Sequence, residues 1–249
     1  MLVDAHCHID SYPQPALTLD AGDRARVATL AVTTSLNSYV RTRILCRRYE
    51  GVQVALGLHP RRLGGAYHQW AEWKQVLQDA RLVGEVGLDF QDADQERRAA
   101  QRQTLEAVAV SCAREGRALL LHSAYAEAEA WEVIFSRQVQ WVVWHGYRPE
   151  APRSLLFRAI EAGHFLSLGP EALQQGAMVG RLRSIPREQV LTETNGPMGS
   201  LGTHDRAAAL QQVLAALADA WRCSPRDAEA QVERNYRRLL AGVGLSTDL

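Results

Sequence analysis

The chain has 249 residues, 47% of them hydrophobic, with 28 Lys and Arg against 28 Asp and Glu and a pI near 7.1. That is enough to bury one large core, and no linker divides it, so a single domain over 1–249 is expected. The charge balance excludes a global basic field for coating nucleic acid, and the four widely spaced cysteines exclude a zinc knuckle or a disulfide scaffold. With no basic n-region and no apolar run of spanning length, a cytoplasmic protein with no membrane partner is expected.

The first stretch, Leu2 to His8, reads LVDAHCH. As a strand it would point Asp4, His6 and His8 one way and Cys7 the other. The following SYPQPALTLDAGDRA is rich in turn residues, and RVATLAVTTS at 26–35 is a second strand by its β-branched run. A helix is predicted over 38–50 with Gly51 as its cap, then a third strand, VQVALGLH, over 52–59, closed by His59 and Pro60. Helical spacing over 69–80 precedes LVGEVGLD at 82–89, where Gly84 and Gly87 flank Glu85 and let other groups approach the backbone.

A long polar helix over 92–115 stops at Gly116, and ALLLHS then delivers His122. A helix over 126–137 leads to QWVVWHG and His145. A further helix over 149–162, the strand HFLSLG at 164–169 and a helix within 171–183 precede QVLTETN, which carries Glu193 and Asn195. Two helices finish the chain, the second opened by Ser224 as N-cap, Pro225 and Asp227.

Eight near-continuous apolar strands alternating with helices in 249 residues are the arithmetic of a (β/α)8 TIM barrel of the metal-dependent hydrolase type, with a doubly wound sheet as the alternative. In such a barrel the ends of the strands form one rim, which would gather His6, His8, His59, Glu85, His122, His145 and Asn195. Four imidazoles, an inward glutamate and a terminal oxygen ligand suffice for two divalent ions sharing Glu85. Histidine ligation suits Zn or Mn, while Mg prefers oxygen. Lys74 is the only lysine and lies in a helix, so a carbamylated-lysine bridge is not expected. Arg61, Arg62 and Arg148 in the rim loops would supply a local basic patch, and Phe90 or Tyr147 could stack on an unpaired base. His164, opening its strand, belongs to the opposite face.

DAHCH, GLHP, GEVGLD, LLLHS, WHG and ETNGP occur in the order seen in the TatD family of metal-dependent DNases, which the chain resembles from residue 2 to the NYRRLL segment. The resemblance implies a DNase acting on phosphodiester bonds, single-stranded or end-exposed DNA being the expected substrate. It also implies that His6 and His8 hold one metal, Glu85 bridges, His122 and His145 hold the second, and His59 contacts phosphate. Asp4, Asp89 and Glu193 would support the ligands from behind. YPQP, SLGPEAL and LTETNGP are similar to the TatD-like nucleases of Qat antiphage cassettes, implying defence and partner proteins of the cassette.

Two positions depart from the family pattern. Asn195 stands where the family carries the aspartate that binds metal and accepts the water's proton, and Ala124 replaces a phosphate-contacting arginine. An amide is no general base, so impaired chemistry is expected, through natural variation or deliberate disabling. An amidohydrolase, a D-aminoacyl-tRNA deacylase and a non-catalytic nucleic-acid-binding subunit are the alternative functions.

Overall fold

Each apolar run identified in the sequence forms parallel strands. The computed structural model describes residues 1–63, 70–146, 152–174, 180–198 and 205–247. In chain order the strands are β1 (Leu2–Cys7), β2 (Val27–Ala31), β3 (Val52–Val54), β4 (Leu56–Leu58), β5 (Leu82–Asp89), β6 (Ala118–Ala124), β7 (Trp141–Trp144), β8 (Phe165–Leu168) and β9 (Val190–Thr192). They form a (β/α)8 barrel. Leu119, Leu120 and Leu121 of β6 are each 0% exposed, which is why this strand carries no polar alternation.

The run at 52–59, expected as one strand, is two, because its halves pair with different neighbours. β3 bonds to β2 and β4 to β5, and between them the Ala55 amide still donates to the Ala31 carbonyl. At the seam between β9 and β1 no regular ladder forms among the described residues. Individual bonds replace it: Thr192 Oγ1 to the Val3 carbonyl, the Asn195 amide to the His6 carbonyl at 2.9 Å, and the His8 amide to the Gly196 carbonyl at 2.8 Å.

Helices α1 (Pro15–Arg24), α2 (Leu36–Cys46), α3 (Trp70–Leu77), α4 (Gln95–Glu115), α5 (Glu127–Ser136), α6 (Arg153–Glu161), α7 (Pro170–Gln174), α8 (Arg206–Trp221) and α9 (Pro225–Gly242) cover the barrel. Helix α1 occupies the stretch expected to be turns. Pro15 sits in its first turn, where a fixed φ and a missing N–H suit a helix start. Helix α2 ends earlier than expected, so Gly51 does not cap it; its N-cap is Ser35, whose side chain accepts from the Ser38 amide. Helix α4 stops where expected, with Gly116 left-handed at φ 62°, and α9 opens with a capping box between Ser224 and Asp227. Helices α8 and α9 pack on β1, β8 and β9 as one apolar cluster, and the helices around β4 to β7 form a second.

His164 lies just before β8, away from the strand C-termini, 2% exposed. Its Nδ1 accepts from the Trp144 indole N–H at 3.1 Å, so Nε2 carries the proton, donated to the Val139 carbonyl at 3.0 Å. The pair of contacts requires the neutral ring, and burial pushes its pKa down to about 4. The unfolded chain therefore binds the extra proton between about pH 6.5 and 4, and stability falls as pH drops through that window. By pH 4 the loss from this residue should reach about 3 kcal/mol. Urea denaturation of wild type and His164→Gln checks this: wild type should lose that much more than the variant on acidification, and parallel pH profiles would reject it.

Candidate metal centre

The site begins with a backbone constraint on β5. A Cβ at Gly84 would lie 2.5 Å from Leu120 Cβ, and one at Gly87 1.8 Å from the His122 carbonyl oxygen. Only glycine lets β5 and β6 come so close, as the sequence had suggested for both positions. That approach sets His122 Nδ1 directly against Glu85 Oε1.

Glu85, 2% exposed, is ringed by imidazoles from four other strand ends. Its carboxylate lies 3.5 Å from His8 Nε2, 3.8 Å from both His6 Nε2 and His59 Nε2, and 3.9 Å from His145 Nε2. His6 and His8 turn their Nε2 atoms to within 3.3 Å of each other, and the His6 and His145 rings stack at 3.4 Å. Three overlapping triads, His6–His8–Glu85, His59–Glu85–His122 and His6–His145–Glu193, each bring their ligand atoms within 4.8 Å of one another.

Hydrogen bonds fix what each ring can offer. His59 Nδ1 accepts from the Arg61 amide at 3.2 Å, so the neutral ring has its proton on Nε2 and presents a donor to the centre. Burial pushes its pKa down to about 4 and holds that neutral form. His145 is the opposite case: its Nδ1 lies 2.9 Å from Glu193 Oε2, so in the neutral ring the proton stays there and Nε2 carries the lone pair, and although burial lowers its pKa, the charge and hydrogen bond of Glu193 outweigh that and raise it. Burial also drives His6 and His8 down, to neutral rings with lone pairs to give. His6 Nδ1 is buried without a hydrogen-bond partner among the described residues.

His122 is different again. Burial lowers its pKa, but Glu85 and Asp89, at 3.4 Å from Nε2, outweigh that and push it to about 9. Burial alone would raise the Glu85 carboxyl; the charge and hydrogen bond of His122 outweigh it and hold Glu85 well below the usual range.

The supporting residues divide. Glu193 bonds a candidate ligand directly. Asp89 accepts from Arg61 Nε and Nη2 and, through its own amide, donates to Gln101 Oε1 at 2.8 Å. Asp4 does not share the face of His6 and His8: the β1–β2 register slips between Asp4 and Cys7, and the Asp4 carboxylate goes to Thr194 and Arg206. Asn195 is half-buried, its backbone left-handed at φ 50°. Arg61, 52% exposed, spends its guanidinium on Asp89 and Gln91. A cleft of about 580 Å³ opens beside it, lined by Pro60, Asp89, Gln91, Arg97 and Gln101. Phe90 lies under the Arg98 guanidinium, 5.0 Å from the ring centre. Tyr147, Arg148, His68 and His204 lie outside the described residues.

Sequence reasoning missed Arg206 and Gln101. Both sit on helices, and no spacing distinguishes a side chain that turns inward there.

Four ring nitrogens around one buried carboxylate, two of them on rings that burial keeps neutral, form a donor set that fits a divalent cation. A parallel barrel with such a cluster at its C-terminal rim has the architecture of a metal-dependent hydrolase. The family profile described as TatD related DNase matches residues 3–241, and the chain belongs to that family. The human deoxyribonuclease TATDN3 is 26% identical over 218 residues, 79% of this chain and 78% of that protein. The Escherichia coli K12 metal-dependent hydrolase YcfH, described as uncharacterized, is 24% identical over 210 residues, 79% of this chain and 77% of its own. Among solved structures, the TatD homologue YJJV of Escherichia coli K12 superposes with a TM-score of 0.84 at 22% identity, covering 96% of this chain and 97% of that one. A TatD family hydrolase from Entamoeba histolytica does so at 0.76 and 12% identity, covering 96% and 97%.

If His122 is a ligand, metal must displace the proton it holds at neutral pH. Calorimetric titration of the metal-free protein with Zn²⁺ at pH 7.5, in buffers of different ionisation enthalpy, should show at least about one proton released per chain. No release would remove His122 from the ligand set.

Proposed function

We propose that this protein hydrolyses phosphodiester bonds in DNA, single-stranded or end-exposed, using two divalent ions that share Glu85. The observation that carries the reading is the ring of imidazoles around that one carboxylate, within a family named for DNases. His6 and His8 would hold one ion, His122 and His145 the other. When bound, such ions polarise a phosphoryl oxygen and make water acidic enough to react near neutral pH. Zn or Mn suits the imidazoles, with Mg as the oxygen-preferring alternative.

The protein's own groups do the rest. Glu193 holds the His145 proton on Nδ1 and so keeps Nε2 aimed at the centre. His59 presents an N–H toward the centre, as a contact to a non-bridging phosphate oxygen requires and a metal ligand does not. A nucleotide flanking the scissile bond would lie in the cleft beside Asp89, with Arg61 at its edge. At position 195 the amide cannot take a proton, and it leaves the loaded centre one charge unit more positive than a carboxylate would. Tight binding with slow turnover is the expected result.

Asn195 also lends weight to a second reading, a non-catalytic DNA-binding subunit. The similarity of YPQP, SLGPEAL and LTETNGP to Qat cassette nucleases supports a place in antiphage defence with partner proteins of that cassette. The four free cysteines suit a cytoplasmic setting.

End-labelled single- and double-stranded DNA incubated with Mg, Mn and Zn tests the reading. Asn195→Asp should raise the cleavage rate by roughly 10² to 10⁴-fold without tightening the complex with uncleaved DNA. Inertness of both forms with every metal would favour the binding subunit. His59→Ala should leave metal content unchanged and raise KM about tenfold or more, the worth of a hydrogen bond to a charged group; loss of metal in that variant would make His59 a ligand instead.

A further inference from the structure

Helix α8 begins with Arg206, a residue no motif singles out. Its guanidinium is buried, with a side-chain exposure of 4%, against Asp4 at 0%. Nε and Nη2 donate to Asp4 Oδ2 at 3.0 and 2.8 Å, and Nη2 also donates to Thr29 Oγ1 at 2.7 Å. Gly22 on α1 leaves the space it needs, since a Cβ there would lie 3.1 Å from Nη1.

Asp4 in turn grips the segment after β9. Its Oδ1 accepts from the Thr194 amide at 2.8 Å and its Oδ2 from Thr194 Oγ1 at 2.7 Å, while the Gly196 amide donates to Thr194 Oγ1 at 3.1 Å. The neighbours of Thr194 are Glu193, which holds His145, and Asn195, whose amide bonds the His6 carbonyl. This is also the seam without a regular ladder, and Asn195 sits there at φ 50°, a conformation a non-glycine residue keeps only where its surroundings hold it. Burying an ion pair carries a desolvation penalty that can exceed its attraction, so stability alone is a poor account of it.

We propose that Arg206 is a positioning residue of the metal centre: through Asp4 and Thr194 it sets where Glu193, His145 and Asn195 stand relative to His6 and His8. The inference rests on the metal-centre reading and not on the substrate. Loosening the clasp lets the segment 193–196 shift, so His145 and the position-195 side chain no longer converge with β1.

The test is Mn²⁺ titration of the purified full chain by calorimetry, with the electron paramagnetic spectrum of bound Mn²⁺ recorded and folding followed by circular dichroism. Arg206→Met and Thr194→Val should each weaken Mn²⁺ binding by roughly 10 to 100-fold, the usual effect of losing an outer partner of a metal site, and alter the spectrum. Arg206→Lys, which keeps the charge beside Asp4, should recover most of that loss. Should Arg206→Met fail to fold, Thr194→Val decides, because it leaves the ion pair intact. A folded Thr194→Val protein with wild-type Mn²⁺ affinity and spectrum overturns the proposal, as does a wild-type protein that binds no Mn²⁺. Wild-type Mn²⁺ binding and weakened variants, together with no DNA cleavage by either the wild-type or the Asn195→Asp protein, would support it while overturning the DNase reading.

Discussion

A carboxylate with 2% exposure in the middle of a barrel is expensive unless its charge is met, and among the described residues Glu85 is met by imidazoles alone. Much of the rim follows from that requirement. The two glycines of β5 bring β6 close enough for His122 to reach the carboxylate, and three other strands end on four histidines within 3.9 Å of it. Without metal the balance is kept by a proton on His122, held between Glu85 and Asp89. A cation can take the place of that proton, because the same lone pairs face inward in either case.

The rings are chemically unequal although the sequence writes them alike. What separates them is the partner of the second nitrogen: a backbone amide for His59, Glu193 for His145, Asp89 for His122 and, among the described residues, none for His6 Nδ1. These partners come from loops and neighbouring strands, and they settle whether a ring gives a lone pair or a proton. His59 and His145 stand at similar strand ends with opposite polarity for this reason.

The seam between β9 and β1 places a second demand on the fold. A regular ladder there would fix the last strand through its backbone, but the register slip after Asp4 breaks the pattern on β1. The chain uses side chains instead, and the buried Arg206–Asp4 pair ties α8, β1 and the segment carrying Glu193 and Asn195 into one body.

Much of this was written in the order of the residues. Apolar runs such as ALLLHS and VGEVGLD specify strands buried on both faces, and alternation with helices specifies a barrel, since both depend only on local pattern and spacing. The placement of His6, His8, His59, Glu85, His122 and His145 on one rim follows from the barrel, because every strand in it points the same way. Helix α1 was hidden by prolines that read as turns when their neighbours are unknown, and the split of 52–59 depended on which strands lay on either side. The partners of Asp4, the inward turn of Arg206 and Gln101, and the polarity of each imidazole are contacts between residues far apart in the chain, with up to 202 positions between partners. A linear pattern carries no record of such contacts, for they exist only once packing has brought the groups together and excluded water from between them.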